Sequence, residues 1–234
     1  MRIVVLLCVI QLCILGTACD LTSTGKALRN TIHINSYGQA EVILDNWINT
    51  SQIQVYVYPQ SPPVEPTKVL FVPFRVTQQM ENFLTVGNNI SRIIWQNWLQ
   101  NSIFSTLEFL QNGTAFRPDV SLTIAKQKGA NLVVGGYITD FIDGGLSGDT
   151  RVSIAIEIYD VSTGNLIWSL SQAGSIQAAS VNDFIIFATK TRMPTNPSAA
   201  VINLLAEDMG KKIKEWTNPS FQEETWLMPE PLAF

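Results

Sequence analysis

The sequence has few of the residues that carry catalysis or bind metals. It contains one histidine, His33, and three cysteines, which all lie at or before position 19. We find no glycine-rich phosphate loop followed by lysine, and no Gly-x-Ser-x-Gly nucleophile motif. A lone histidine with no acidic pair beside it does not make a zinc site. These absences predict a protein that is not an enzyme, uses no cofactor and holds no metal.

Charge is also scarce. Charged residues make up 15% of the chain, against about 25% in typical soluble domains. The 15 Lys and Arg residues against 19 Asp and Glu give a net charge of −4, which argues against nucleic-acid binding because that requires a basic surface. Six Trp and eleven Phe residues favour a surface partly covered by another protein or by membrane. A large aromatic core is the alternative.

Residues 1–18 have the pattern of a secretory leader. Arg2 supplies a positive charge, an apolar stretch follows, and the small residues Gly16-Thr17-Ala18 precede Cys19. The apolar run of about thirteen residues is shorter than the roughly twenty that a membrane-spanning helix needs. The segment resembles a bacterial lipoprotein signal, which implies cleavage before Cys19 and acylation of that residue, for example with palmitate. An ordinary signal peptide with an incidental cysteine is the alternative.

Cleavage at this position would leave Cys19 as the only cysteine, which excludes disulfides in the mature chain. Acyl chains would anchor the protein to a membrane surface. We therefore expect a location in the cell envelope, facing the periplasm. The outer membrane is favoured, and Asp20, which retains some lipoproteins in the inner membrane, keeps the inner membrane as an option.

The rest of the chain divides into an N-terminal arm with a proline-rich linker (residues 19–66), a main domain (67–217) and a C-terminal tail (218–234). Alternating or continuous apolar residues predict strands, and apolar residues at helical spacing predict helices. Asn88 or Asn89 and Asp119 are the expected helix N-caps. The prediction is an α/β domain with a mixed sheet, a β-meander and packed helices. Strands are expected at 53–58, 68–74, 130–141, 151–160 and 166–171, and helices at 86–100, 119–128 and 199–216.

Two glycine pairs interrupt this pattern. Gly135-Gly136 lies inside a predicted strand and indicates a bulge or a close backbone approach. Gly144-Gly145 lies in a loop flanked by Asp140 and Asp143. This loop is expected to be a solvated turn, and calcium binding through carboxylate oxygens is the alternative.

Three phrases resemble a known family. Residues 129–138 (GANLVVGGYI), 158–168 (IYDVSTGNLIW) and 69–74 (VLFVPF) resemble the CsgG / TolB N-terminal / PelC-like superfamily of bacterial envelope proteins, over roughly residues 68–216. The resemblance implies an anticodon-binding-like α/β sandwich on a periplasmic lipoprotein, without catalytic residues. Family members are structural or gating parts of envelope machines.

The resulting functional prediction is a non-enzymatic lipoprotein that self-associates as a ring and scaffolds an export or flagellar-motor complex. Its partners would be further copies of itself, other envelope proteins and the membrane. The alternative is a monomeric lipoprotein that docks on a periplasmic enzyme, such as a peptidoglycan synthase, and regulates it. A hydrolase or sugar receptor would need a cleft with converging carboxylates, which the sequence does not display.

Aromatic residues are the expected contact residues, because tryptophan and tyrosine dominate binding hot spots. The expected contact surfaces are the meander (151–171), the last helix and the proline-rich arm. For two of the aromatic residues, at positions 95 and 98, a place in the core is an equal alternative. The candidates are Trp95, Trp98, Tyr159, Trp168 and Trp226.

Overall fold

The computed structural model describes residues 31–34, 40–63, 67–111, 114–183 and 187–217. For residues 31–34, 40–45, 181–183 and 187–189 it describes the backbone alone. The fold is mixed α/β, as predicted. In chain order the elements are β1 Thr31–Ile34, β2 Ala40–Asp45, β3 Ile48–Thr50, β4 Gln54–Val57, β5 Lys68–Phe71, β6 Arg75–Val76, α1 Phe83–Gln100, β7 Thr106–Phe109, α2 Pro118–Gln127, β8 Leu132–Ile142, β9 Thr150–Asp160, β10 Leu166–Ile176, β11 Val181–Asp183, β12 Phe187–Arg192 and α3 Pro197–Thr217.

An eight-stranded sheet forms the centre of the molecule. Its order is β3-β10-β9-β8-β5-β7, with β4 also paired to β10 and β6 to β8. The strands β7, β5 and β8 run parallel, and β8, β9 and β10 form the antiparallel meander. The predicted hairpin is confirmed, and its second strand extends five residues further, to Ile176. Side chains of β9 alternate between buried and half-buried, as expected for a strand with one face in the core.

Helices α1 and α3 cover one face of the sheet. Their apolar stripes pack on the buried side chains of β5, β8, β9 and β10 to form the main core. Trp98 on α1 donates a hydrogen bond from its indole Nε1 to the carbonyl oxygen of Ala206 on α3, at 2.9 Å. Gly210 on α3 faces this indole, and a Cβ there would lie 3.0 Å from Nε1. The missing side chain therefore lets the two helices approach closely.

Helix α2 covers only part of the opposite face. A smaller core joins Phe116 and Ala125 to the outward side chains of β5 and β8, such as Leu70 and Val133. Among the described residues, no helix lies over the β9–β10 part of this face. The sheet is therefore covered on both sides at its parallel end and on one side at its meander end.

The segment before the main domain contributes three strands besides β4, which was predicted at 53–58. β3 and β4 pair with successive parts of β10, opposite Gly174–Ile176 and Ser169–Ser171. A second, four-stranded sheet has the order β1-β2-β12-β11 and joins β2 to β12 in parallel. The arm is therefore joined to the domain by hydrogen bonds between strands that are distant in sequence. No local sequence pattern predicts these pairings.

Both predicted helix N-caps are wrong. Helix α1 begins at Phe83 and follows Asn82, whose backbone is left-handed (φ 58°) and whose side chain makes no capping bond. Helix α2 begins at Pro118 with Arg117 before it. Proline favours the first helical position because its φ is already set and its missing N–H would have no partner. Asp119 instead lies in the first turn, where hydrogen bonding to the backbone N–H of Val120 lowers its pKa.

Within the described ranges, the structure contains no helix that is both long and apolar enough to cross a membrane.

Candidate functional site: the meander surface and the sheet edges

The loop at Gly144-Gly145 uses its carboxylates for local structure. Asp140 pairs with Arg151, with 3.4 Å between Oδ2 and Nε. Asp143 Oδ1 accepts the backbone N–H of Gly145 at 3.1 Å, and Asp149 accepts that of Ala178 at 2.8 Å. No group of three or more His, Cys, Asp or Glu residues that could hold a metal occurs in the described ranges. These three carboxylates are therefore engaged in bonds within the protein.

The turn between β9 and β10 is built by one carboxylate. Asp160 Oδ1 accepts hydrogen bonds from the Ser162 hydroxyl at 2.6 Å and from the Thr163 backbone N–H at 2.7 Å. Gly164 follows with φ 74°, a conformation that favours glycine. Burial acts to raise the pKa of Asp160, but these hydrogen bonds outweigh it and lower the pKa. Residues 160–164 (DVSTG), at the centre of the phrase 158–168 on which the resemblance rests, therefore form a turn. The Asp160 carboxylate is used within that turn.

A groove of about 930 Å³ lies beside this turn, bordered by residues 57–63 and by the ends of β9 and β10. Trp216 at the end of α3 closes one side, and its Nε1 donates a hydrogen bond to the carbonyl oxygen of Ser61 at 2.5 Å. Among the described residues that line the groove, Asp160 is the only carboxylate, and the turn already uses it. The groove does not have the converging carboxylates that a glycoside hydrolase requires.

Two of the predicted contact residues lie in the core. Trp98 and Trp168 are both 0% exposed. Trp168 packs between the rings of Tyr58, at 4.7 Å, and Trp216, at 6.0 Å between centroids. Neither indole offers surface to a partner. For Trp98 the burial agrees with the core alternative. For Trp168 the sequence analysis gave no such alternative, and its burial contradicts the contact role. Buried aromatic residues at helical or alternating spacing produce the same sequence pattern as contact residues, which explains the error.

Trp95 protects an edge of the sheet. β7 is an edge strand, and the half-buried Trp95 donates a hydrogen bond from Nε1 to the outward carbonyl oxygen of Leu107 at 3.2 Å. The ring also packs on Phe109, with 5.5 Å between centroids. Arg92, one turn earlier on α1, lies over the Phe109 ring at 5.3 Å. An edge whose carbonyl is already bonded by a side chain is a poor template for another strand.

Tyr159 lies at the end of the uncovered meander face. Its hydroxyl donates to Glu157 Oε2 at 2.9 Å, and burial, reinforced by this carboxylate, raises the pKa of the phenol. The phenol therefore stays protonated at neutral pH. The face beside it carries small half-buried side chains: Ser153, Ala155, Ser169, Ser171, Ala173 and Ser175. Two of their hydroxyls bond to other hydroxyls: Ser153 Oγ accepts from Thr139 Oγ1 at 2.9 Å, and Ser171 Oγ donates to the Tyr56 hydroxyl at 3.4 Å. A face of small side chains suits contact with another protein surface.

The opposite edge of the sheet, formed by β3 and β4, exposes aromatic side chains. Trp47 is 67% exposed, Tyr56 66% and Tyr58 51%. No described strand pairs with the outer side of β3 or β4. The sequence analysis predicted a strand at 53–58 but did not select these aromatics. One signal for them was available: from Asn46 to Pro63 the sequence has no charged residue, although exposed strand edges usually carry charge.

The remaining predicted positions lie outside what the structure describes. Cys19 and Trp226 are not among the described residues. The backbone of His33 lies in β1 opposite Glu41, and its side chain is not described. The lipidation site and the Trp226 contact therefore stay predictions.

No protein-family model and no curated protein matches the chain. Among solved structures, the PelC dodecamer from Paraburkholderia phytofirmans is 15% identical with a TM-score of 0.52, covering 71% of this chain and 98% of that chain. The hypothetical protein CT253 from Chlamydia trachomatis is 14% identical, covering 65% and 99%, with a TM-score of 0.42. Lipoprotein GNA1162 from Neisseria meningitidis is 14% identical, covering 63% and 98%, with a TM-score of 0.37. The chain therefore has the fold of the PelC subunit, which confirms that part of the resemblance at the level of the fold, and the CsgG part stays a prediction.

Proposed function

We propose that this chain is a non-enzymatic, lipid-anchored envelope protein that self-associates as a ring and scaffolds an export or flagellar-motor complex. The observation that carries the proposal is the match of the fold to nearly the whole length of a subunit that forms a dodecamer. The outer membrane, facing the periplasm, is the proposed location. Asp20 leaves the inner membrane as the second option.

The surface of the described part supports a role in contact. Three aromatic side chains lie exposed along one sheet edge, and the meander leaves one face without a helix over it. The carboxylates at the loop and the turn are bonded within the structure. A subunit that works by binding others needs such surfaces and needs no reactive site.

The lipid anchor is tested by two cysteine variants with opposite expectations. In Cys19→Ser the acceptor is absent, so labelled palmitate is expected to be absent from the protein, which would leave the membrane fraction. Cys13→Ser removes a cysteine from the predicted leader and is the matched control. It is expected to label and to sediment with membranes like the wild type, because each buried CH₂ of an acyl chain contributes ~0.8 kcal/mol to binding.

Two results would contradict the anchor. One is unlabelled wild-type protein recovered in the soluble fraction. The other is a palmitate label that persists in Cys19→Ser, which would place the acyl group elsewhere.

A monomeric regulator that docks on a periplasmic enzyme, such as a peptidoglycan synthase, is the second candidate. The same exposed aromatic edge favours it, since that edge would serve a foreign partner as well as a further copy. The mass of the protein in solution distinguishes the two candidates.

A further inference from the structure

The two edges of the central sheet carry complementary features. The β3–β4 edge carries exposed aromatic rings, of which Trp47 and Tyr56 are the most exposed. The Tyr56 hydroxyl donates to Gln54 Oε1 at 2.6 Å and accepts from Ser171 Oγ at 3.4 Å, so its ring lies on the meander side of this edge. The β7 edge carries a groove of about 540 Å³, lined by residues that include Arg92, Trp95, Phe109, Leu110 and Gln111. One edge therefore supplies exposed rings, and the other supplies a groove with an aromatic wall, the cation of Arg92 and an ion pair between Lys128 and Glu108.

The positions of the edges suit a head-to-tail contact. β3 and β7 stand at opposite ends of the strand order, and strands lie about 4.8 Å apart, so the edges are separated by about 24 Å. A contact between two different patches on opposite sides of a subunit repeats from copy to copy. It closes into a ring when the rotation between copies is right.

The groove is suited to side chains and not to an added strand. Trp95 already bonds the outward carbonyl of Leu107, so a partner's main chain would have to displace the indole. The guanidinium of Arg92, by contrast, lies over the Phe109 ring and is exposed. One side of this guanidinium faces Phe109. A tyrosine ring of the next copy could stack on its other side, where a cation–π contact is favourable.

One edge carries no charge, and the acidic group of the other is paired. From Asn46 to Pro63 the chain has no charged residue, so docking of this segment desolvates no charge of its own. Within the groove lining, Glu108 is paired with Lys128, and it also lies 3.8 Å from Lys68. The acidic group is therefore already compensated, and Arg92 is the lining cation that can face an aromatic ring.

The aromatic area is large enough to matter. If a ring residue has about 200 Å² of surface, the exposed fractions of Trp47 and Tyr56 leave about 270 Å² per subunit in water. A specific interface buries about 800 Å² per partner. These two side chains would provide about a third of one partner's share.

From these features we propose that the β3–β4 edge of one copy, led by Tyr56 and Trp47, docks in the β7-edge groove of the next copy. This inference rests on the proposed self-association and names the surface that produces it. Each subunit uses its edge on one neighbour and its groove on the other.

Paired cysteines test the contact directly. The mature chain with Cys19→Ser contains no cysteine, so introduced cysteines report without background. A Tyr56→Cys, Gln111→Cys double variant, treated with a short bismaleimide, is expected to give a ladder of covalent multimers, because each subunit links to two neighbours. Each single variant is expected to stay monomeric on a denaturing gel. A Tyr56→Cys, Leu146→Cys variant is the control, since Leu146 is exposed on the β8–β9 loop.

A second variant measures how much the Tyr56 side chain contributes to the affinity between copies. Tyr56→Ala is expected to weaken self-association by about tenfold or more, as loss of a hot-spot aromatic does. Compared with the wild type at a concentration where both are single subunits, its melting temperature should stay nearly unchanged, because the side chain is mostly exposed and subunit binding no longer contributes to stability. Leu146→Ala is the matched control and should alter neither quantity.

The outcomes separate this inference from the proposed function. A wild-type chain that is monomeric at all concentrations overturns both. A wild-type assembly in which the double variant gives no ladder and Tyr56→Ala has no effect overturns the edge-to-groove contact alone. Efficient dimers from the Tyr56→Cys single variant also overturn it, because they would show that the edge meets itself.

Discussion

Replacing Trp98 with alanine is expected to reduce the free energy of unfolding by about 3 to 5 kcal/mol. The indole is fully buried, packs edge-on against Phe71 with 5.8 Å between centroids, and donates its N–H to Ala206. Alanine would leave a cavity where α1, α3 and the sheet meet. Because Gly210 adds no side chain that could move into the space, the cavity should remain largely empty.

Leu99→Ala is the matched control for this variant. Leu99 is the next residue of the same helix and is 48% exposed, so its truncation should cost less than about 1 kcal/mol. Urea unfolding followed by circular dichroism measures both. Equal losses in the two variants would contradict the position of Trp98 at the centre of the core.

Replacing Gly136 with alanine is expected to cost about 3 kcal/mol or more, or to prevent folding. Gly136 lies in β8, and a Cβ there would be 2.1 Å from the carbonyl oxygen of Ala155 in β9. The obstacle is backbone, so relief requires β8 and β9 to separate. Their hydrogen bonds hold the centre of the sheet, which makes that separation expensive.

Gly174→Ala is the comparison variant, and we expect it to lose less stability than Gly136→Ala. A Cβ at this β10 position would lie 2.9 Å from Cγ1 of Val201 on α3, and a side chain can move where a carbonyl cannot. The expected loss is about 1 to 2 kcal/mol. Thermal melts of both variants measure the difference, and a Gly136→Ala protein as stable as Gly174→Ala would show that the strands are not held as described.

The meander could be predicted from the sequence because its information is local. Strict alternation along β9 and β10 and the turn phrase around Gly164 determine the strands, the turn and the buried face together. The Gly135-Gly136 pair was also interpretable: the close approach at Gly136 is confirmed. The register irregularity of β8 lies slightly further on, between Ile138 and Asp140.

The edge of the sheet could not be predicted in the same way. The alternation of residues 53–58 predicts the strand β4. It does not predict its partner, which is β10, more than a hundred residues later in the chain. The parallel pairing of β2 with β12 has the same long-range character. A local pattern fixes which residues share a face and leaves the partner strand open.

The two tryptophans of α1 show why the sequence could not predict which aromatic residues lie at the surface. Trp95 and Trp98 are three residues apart on α1 and share a helical face, so periodicity treats them alike. The structure places Trp98 between α1 and α3 and Trp95 over the β7 edge. The difference depends on where the sheet ends beneath the helix, which only the assembled fold reveals.

The central claim, that this chain is an assembling subunit and not an isolated regulator, is tested most directly by the native mass of the detergent-extracted wild-type protein. The account predicts a discrete multimer whose mass is an integral multiple of the subunit mass and is stable on dilution. A single species at the mass of one subunit, at every concentration tested, would contradict it.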